Sequence, residues 1–101
     1  MRIRWSEQAR QDLKSIAAYI AKDNPSASRR WIARLRQRAK TVLPFPYAGR
    51  RVPELDQDDI REVLLGNYRI VYQIYPSTIE IVTVFEGHRL LHRPQPESDE
   101  D

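Results

Sequence analysis

Residues 60–89 read IREVLLGNYRIVYQIYPSTIEIVTVFEGHR, and this stretch decides the fold. Three runs in it, residues 60–65, 68–75 and 78–85, are rich in β-branched and aromatic side chains, which suit a pleated, half-buried surface. Gly66-Asn67 separates the first two and is a two-residue hairpin signal. Pro76-Ser77 marks the next turn. Consecutive strands joined by turns this short predict an antiparallel meander. Side chains alternate along a strand, so Tyr68, Ile70, Tyr72 and Ile74 share one face of the middle run. Arg69, Val71, Gln73 and Tyr75 share the other. The apolar set is expected to pack beneath helices, and the more polar set to form an open face.

Upstream, Arg2 to Trp5 alternates charged and apolar residues, a short strand pattern. Ser6 is a good N-cap, and Glu7 falls in the first helical turn, where the helix dipole favours an acid. Ala9, Leu13, Ile16, Ala17 and Ile20 keep the spacing of one buried stripe, so a helix is predicted to about Lys22. Arg10, Lys14 and Lys22 fall outside that stripe. Asn24-Pro25 ends this helix and starts another: Asn caps, and proline at the first helical position loses no useful N–H. The second helix carries Trp31, Ile32, Leu35, Ala39 and Val42 on one side and is expected to end near Leu43, ahead of Pro44. So short a break predicts an antiparallel helical hairpin. Residues 44–59 hold three prolines and a glycine without a clear period and are expected to be a loop, with Val52 and Leu55 pinning it to the core. A connection that long is commonly functional. The order β-α-α-β-β-β predicts an α+β fold with a two-helix hairpin on one face of a small, twisted, mainly antiparallel sheet. Residues 1–93 form the single expected domain, and residues 94–101 an acidic tail without fixed structure.

With 101 residues the chain has room for one core. It has no cysteine, which removes disulfides and thiolate metal sites and fits a reducing cytoplasm. No apolar run reaches the ~20 residues of a membrane span, and MRIRWSEQAR has no signal-peptide core. A soluble, cytoplasmic protein without membrane contact is expected. The net charge of +3 is unevenly spread. From Asn24 to Pro53 no acid occurs, while Arg29, Arg30, Arg34, Arg36, Arg38, Lys40, Arg50 and Arg51 do. The last eight residues instead carry Glu97, Asp99, Glu100 and Asp101. This asymmetry points to an acidic or polyanionic partner for the middle of the chain, or else to a solvated helix face. His88 and His92 lack the carboxylate or cysteine partners of a metal site, and three scattered glycines form no phosphate loop. No cofactor or metal is expected.

Several short motifs recur in a telling order: Trp5-Ser6, Asp12-Leu13, Tyr19-Ile20, Asn24-Pro25, Phe45-Pro46, Gly49-Arg50, Val52-Pro53-Glu54-Leu55, Arg61-Glu62-Val63 and Tyr68-Arg69-Ile70-Val71-Tyr72. In order and spacing they resemble the RelE/ParE superfamily of bacterial toxins, over about residues 2–94. The resemblance implies a toxin with two helices on a twisted sheet and a ParD-like or similar antitoxin whose C-terminal segment wraps it. It also implies operon autoregulation in which operator DNA is touched mainly through the antitoxin, as in plasmid stabilisation systems. An acidic antitoxin helix would meet the arginines of the second helix, Arg30, Arg34 and Arg38.

Two targets divide the superfamily. ParE-like members inhibit DNA gyrase and are not nucleases. RelE-like members cleave mRNA on the ribosome, which demands proton removal from the 2′-OH, stabilisation of the phosphate's developing charge and protonation of the leaving oxygen. Arg69 and Arg89 stand where RelE-like nucleases carry phosphate-binding arginines, and His88 is the acid/base candidate, ahead of His92. For Arg69 the structural alternative is an ion pair with a carboxylate such as Glu62 or Glu80; for the histidines it is an exposed loop position. The chain departs from the RelE pattern in lacking a tyrosine after Leu90 and a lysine-rich helix. The NPSAS break, the FPYAGR loop, the VPEL segment, residues 60–63 and the EGHRLL stretch look more like ParE. The expectation is a ParE-like gyrase inhibitor, with a RelE-like ribosome-dependent endoribonuclease as the alternative and an inactive antitoxin-binding member as a third.

Overall fold

The computed structural model describes residues 1–87. Its elements are strand β1 (Arg2–Trp5), helices α1 (Glu7–Ala21) and α2 (Pro25–Lys40), a 3-10 turn (Pro46–Ala48), and strands β2 (Arg50–Arg51), β3 (Ile60–Leu65), β4 (Tyr68–Ile74) and β5 (Thr78–Glu86). The strands form one sheet in the order β1-β5-β4-β3-β2. β1 runs parallel to β5, and the remaining pairs are antiparallel. The α+β prediction holds, and the loop contributes a fifth strand that residue patterning did not indicate.

The helix starts follow from their caps. Ser6 is extended, and its Oγ accepts the Ala9 N–H at 3.0 Å. Asn24 does the same for Ala27 at 3.0 Å, with Pro25 behind it. Such a cap contributes on the order of 1 kcal/mol. The hairpin is closed by Ser28, whose hydroxyl donates to the Ala17 carbonyl at 2.7 Å, so a small polar residue can be buried between the helices. α2 ends at Lys40 rather than near Leu43 because the chain tightens before Pro44 is reached. Thr41, Val42 and Leu43 donate to the carbonyls three residues back, and the Thr41 hydroxyl also donates to Arg38 at 2.6 Å.

Ala9 and Leu13 of α1, Leu35 and Ala39 of α2, and Ile70, Tyr72, Ile79, Ile81 and Val84 of the sheet are buried in one core. Each large apolar side chain there contributes roughly 1.5–3 kcal/mol through burial. In β5 the core positions step by two from Ile79 to Ile81 and by three to Val84. A β-bulge explains the extra step: Tyr72 faces Ile81 while Val71 faces Thr83, leaving Val82 between them. The bulge's polar groups find partners on the first helix. Ser6 donates its N–H to Ile81 O at 3.0 Å and its hydroxyl to Val82 O at 2.8 Å. Asp12 accepts from the Thr83 hydroxyl at 2.5 Å and the Val84 N–H at 3.0 Å. The cap of α1 and its first turns are thereby locked to the bulge in β5.

Gly66 has φ +57° while Asn67 does not take positive φ, the pattern of a type II′ hairpin turn. A side chain at Gly66 would also meet the Trp31 ring at 3.0 Å. One expectation is corrected. The face is not open at Arg69 and Val71: Arg69 is 4% exposed, and Val71, Glu62 and Val52 are buried, while Tyr75 at the far end of the face is exposed. The loop folds over it, adding β2 to β3 and bringing Glu54 to Arg69 and Arg50 to Glu62. That part of the sheet face is covered by the chain's own loop, so alternation along β4 alone misreads it.

Candidate functional site

Four side chains alternate in charge beneath the loop. Arg69 donates from Nη1 and Nη2 to the two oxygens of Glu54, both at 2.8 Å, and from Nε to Glu62 at 2.7 Å. Arg50 of β2 pairs with the other oxygen of Glu62. The Phe85 ring lies 4.9 Å from the Arg69 guanidinium carbon on a further side. β3 and β4 bring Glu62 to Arg69 because Leu64 pairs with Arg69 and Val71 with Glu62, a diagonal contact on one sheet face. Glu54 arrives from the loop. Its bidentate hydrogen bonds, followed by those to Glu62, hold the guanidinium above its ordinary range, so it stays charged. Both edges of the Arg69 fork are thus taken by carboxylates. A phosphate would compete there with Glu54 and Glu62 for the guanidinium.

The close-packed floor of the loop has a second requirement. A Cβ on Gly49 would collide with the Tyr72 hydroxyl and approach Glu62 O at 2.9 Å. Arg61 reinforces the same turn by donating to Tyr47 O at 3.1 Å and Gly49 O at 3.0 Å, while its other nitrogens bind Asp58.

Of the residues anticipated from sequence, Arg69 is located with Glu62, as one alternative held. Its larger partner, Glu54, lay inside the VPEL motif without being singled out. Glu80 takes a different role, 3.6 Å from Arg4 on the neighbouring strand. His88, Arg89 and His92, and the acidic tail from residue 94, lie outside the described residues. Arg30 and Arg34 are exposed on α2, and Arg34 stacks 4.7 Å over Trp31. Arg38 is turned inward instead, donating from Nε to Leu64 O at 3.0 Å and from Nη1 to Thr41 at 2.9 Å. It ties α2 to β3.

Two grooves flank α1. One, of about 330 Å³, has aromatic walls from Tyr19, Tyr68 and Phe85 and carries Asp12 and Glu86. Burial and the Glu86 carboxylate push the Tyr68 phenol up. The other, of about 380 Å³, has Trp5, Leu13, Ala17 and Ile32 as its floor. Arg10, Lys14 and Arg36 line its rim. Among the described residues no group of three or more His, Cys, Asp or Glu side chains is placed to hold a metal ion, and no helix is long and apolar enough to cross a membrane.

A two-helix hairpin on a mixed sheet, with a loop clamped by buried ion pairs, makes this a small α+β protein. The sequence matches the family model for the ParE toxin of the type II toxin-antitoxin system parDE over residues 3–91, and the chain belongs to that family. It is 36% identical over 92 residues to the protein named "Putative toxin Y4kP" of Sinorhizobium fredii, covering 87% of this chain and 90% of that one. Among solved structures, the chromosomal ParDE toxin-antitoxin system of P. aeruginosa shares the fold with a TM-score of 0.71 at 17% identity, over 85% of this chain and 95% of that chain.

Proposed function

We propose that this chain is the toxin of a type II pair that acts by protein binding, inhibiting DNA gyrase, and is neutralised by a cognate antitoxin in the cytoplasm. One observation carries the reading. Arg69, at the strand position where a nuclease would need a phosphate-binding cation, is buried and clamped by Glu54 and Glu62. A cation already satisfied by two carboxylates has little left to offer a developing phosphate charge, since stabilisation of a transition state requires donors aimed at it. Away from this face the molecule offers two grooves beside α1 and exposed arginines on α2, features that suit protein partners.

The test is a gyrase supercoiling assay with antitoxin-free, folded protein. Lost supercoiling with accumulation of cleaved DNA is the expected result. Unaffected gyrase, from a preparation that still arrests growth and leaves cellular mRNA cut, would overturn the proposal in favour of ribosome-dependent cleavage.

A further inference from the structure

The outer face of α2 carries cations that the fold does not use, and their arrangement selects a partner. Eight basic residues lie between Asn24 and Pro53 with no acid among them. Arg50 pairs with Glu62, Arg51 with Asp56, and Arg38 donates to Leu64 O. The other five, Arg29, Arg30, Arg34, Arg36 and Lys40, are all exposed, and none forms an ion pair with a described residue. At roughly 100° per residue, Arg29, Arg36 and Lys40 fall in one row, and Arg30 and Arg34 in a second row about 120° round the helix. Ala33 and Gln37 lie between the rows and are exposed too. The first row spans roughly 16 Å at about 1.5 Å of rise per residue.

Arginine serves protein and phosphate partners alike, and the surface between the charges tells them apart. Here that surface is a methyl group and an amide, and Arg34 lies over the neighbouring Trp31 ring at 4.7 Å. A protein segment would find no apolar anchor on this ridge, and exposed ion pairs alone stabilise little. A nucleic-acid backbone needs no anchor. Each strand of a duplex carries one charge per ~3.4 Å of axis, so the first row faces about four or five phosphates, and each one neutralised releases condensed counterions. We infer that the outer face of α2 binds the phosphate backbone of duplex DNA, independently of sequence, with a strand lying between the two rows. The phosphate chemistry stands on the cations alone; the choice of DNA over RNA rests on the function proposed above, because gyrase works on duplex DNA.

The experiment is a fluorescence anisotropy titration of the full chain, without gyrase or antitoxin, against a labelled DNA duplex of about 20 base pairs at salt from about 50 to about 200 mM. With all five cations on phosphates, log Kobs against log salt should have a slope of about −4.5, and affinity should fall roughly 500-fold across that range. R29Q/R36Q should reduce the slope to about −2.7, while R2Q/K22Q, which removes the same charge from exposed sites elsewhere, should leave it at about −4.5. Circular dichroism and thermal melting check that both variants fold. A duplex of unrelated sequence should bind equally well. A slope shallower than about −2 for the unaltered chain, or equal slope changes in the two variants, would overturn the inference. Polyglutamate that displaces the DNA at equal charge concentration would assign the face to an acidic protein and overturn it as well. Tighter binding of an RNA duplex of the same length would assign it to RNA, with the same consequence. The titration contains no gyrase, so its failure and a failure of the supercoiling assay are distinguishable.

Discussion

Arg69 is the residue whose replacement separates structure from chemistry most sharply. Arg69→Met keeps the length of the aliphatic stem and removes the charge. It removes the bidentate partner of Glu54, whose side chain is 16% exposed, and leaves the fully buried Glu62 side chain paired with Arg50 across the sheet edge. Removing one partner of a buried ion pair costs about 3–5 kcal/mol, because the other charge stays behind in a poorly solvating environment. A domain of this size holds roughly 5–15 kcal/mol in total, so most of the margin is at stake. With a urea slope of about 2 kcal/mol/M, the midpoint should fall by roughly 1.5–2.5 M. Arg4→Ala, which breaks an exposed pair with Glu80, is the control and should cost at most about 1 kcal/mol. Combining Arg69→Met with Glu54→Gln should recover part of the loss, since one of the two carboxylates that faced Arg69 is then neutral; their coupling in a double-mutant cycle should exceed about 1 kcal/mol. Arg69→Lys should also destabilise, because an ammonium cannot span Glu54 bidentately and reach Glu62 as well. A midpoint shift for Arg69→Met no larger than that of Arg4→Ala, with toxicity nonetheless abolished, would refute the structural role and return Arg69 to the list of reacting groups.

Two further outcomes follow from the same geometry. Burial pushes the Tyr72 phenol above its ordinary 10.0, and its hydroxyl donates to Pro46 O. The folded state therefore holds that proton more tightly than the unfolded one, so this stabilisation is complete below pH 10 and fades as pH rises through the folded value. Tyr72→Phe should cost about 1 kcal/mol at neutral pH and flatten the alkaline fall in stability, measured by urea melts from pH 8 to about 11. Asp12→Ala removes the carboxylate that accepts from Thr83 and Val84 at the bulge, and should cost about 1.5–3 kcal/mol; hydrogen exchange at Val84 should accelerate with it, and unchanged exchange would count against the bulge lock.

Much of this protein could be read along the chain. Ser6 and Asn24 marked the helix starts, Gly66-Asn67 marked the hairpin, and the alternation of Tyr68, Ile70, Tyr72 and Ile74 identified the face beneath the helices. These signals act over a few residues, through capping bonds, turn geometry and side-chain period, so neighbours in sequence suffice to express them. The site was less legible. Glu62 and Glu80 were equally plausible partners for Arg69 until the register placed Glu62 diagonal to it and paired Glu80 with Arg4. Glu54 reached the guanidinium because the loop folded back over the sheet; Val52 and Leu55 announced that the loop is pinned, but not which carboxylate it carries to Arg69. The basic groove likewise joins Arg10 and Lys14 to Arg36, from helices whose relative packing sets the space between them. Local structure was determined by the sequence itself; which charges meet, which face is covered and where the grooves open were decided by tertiary packing, because contacts between distant residues depend on register and shape that have no local signature.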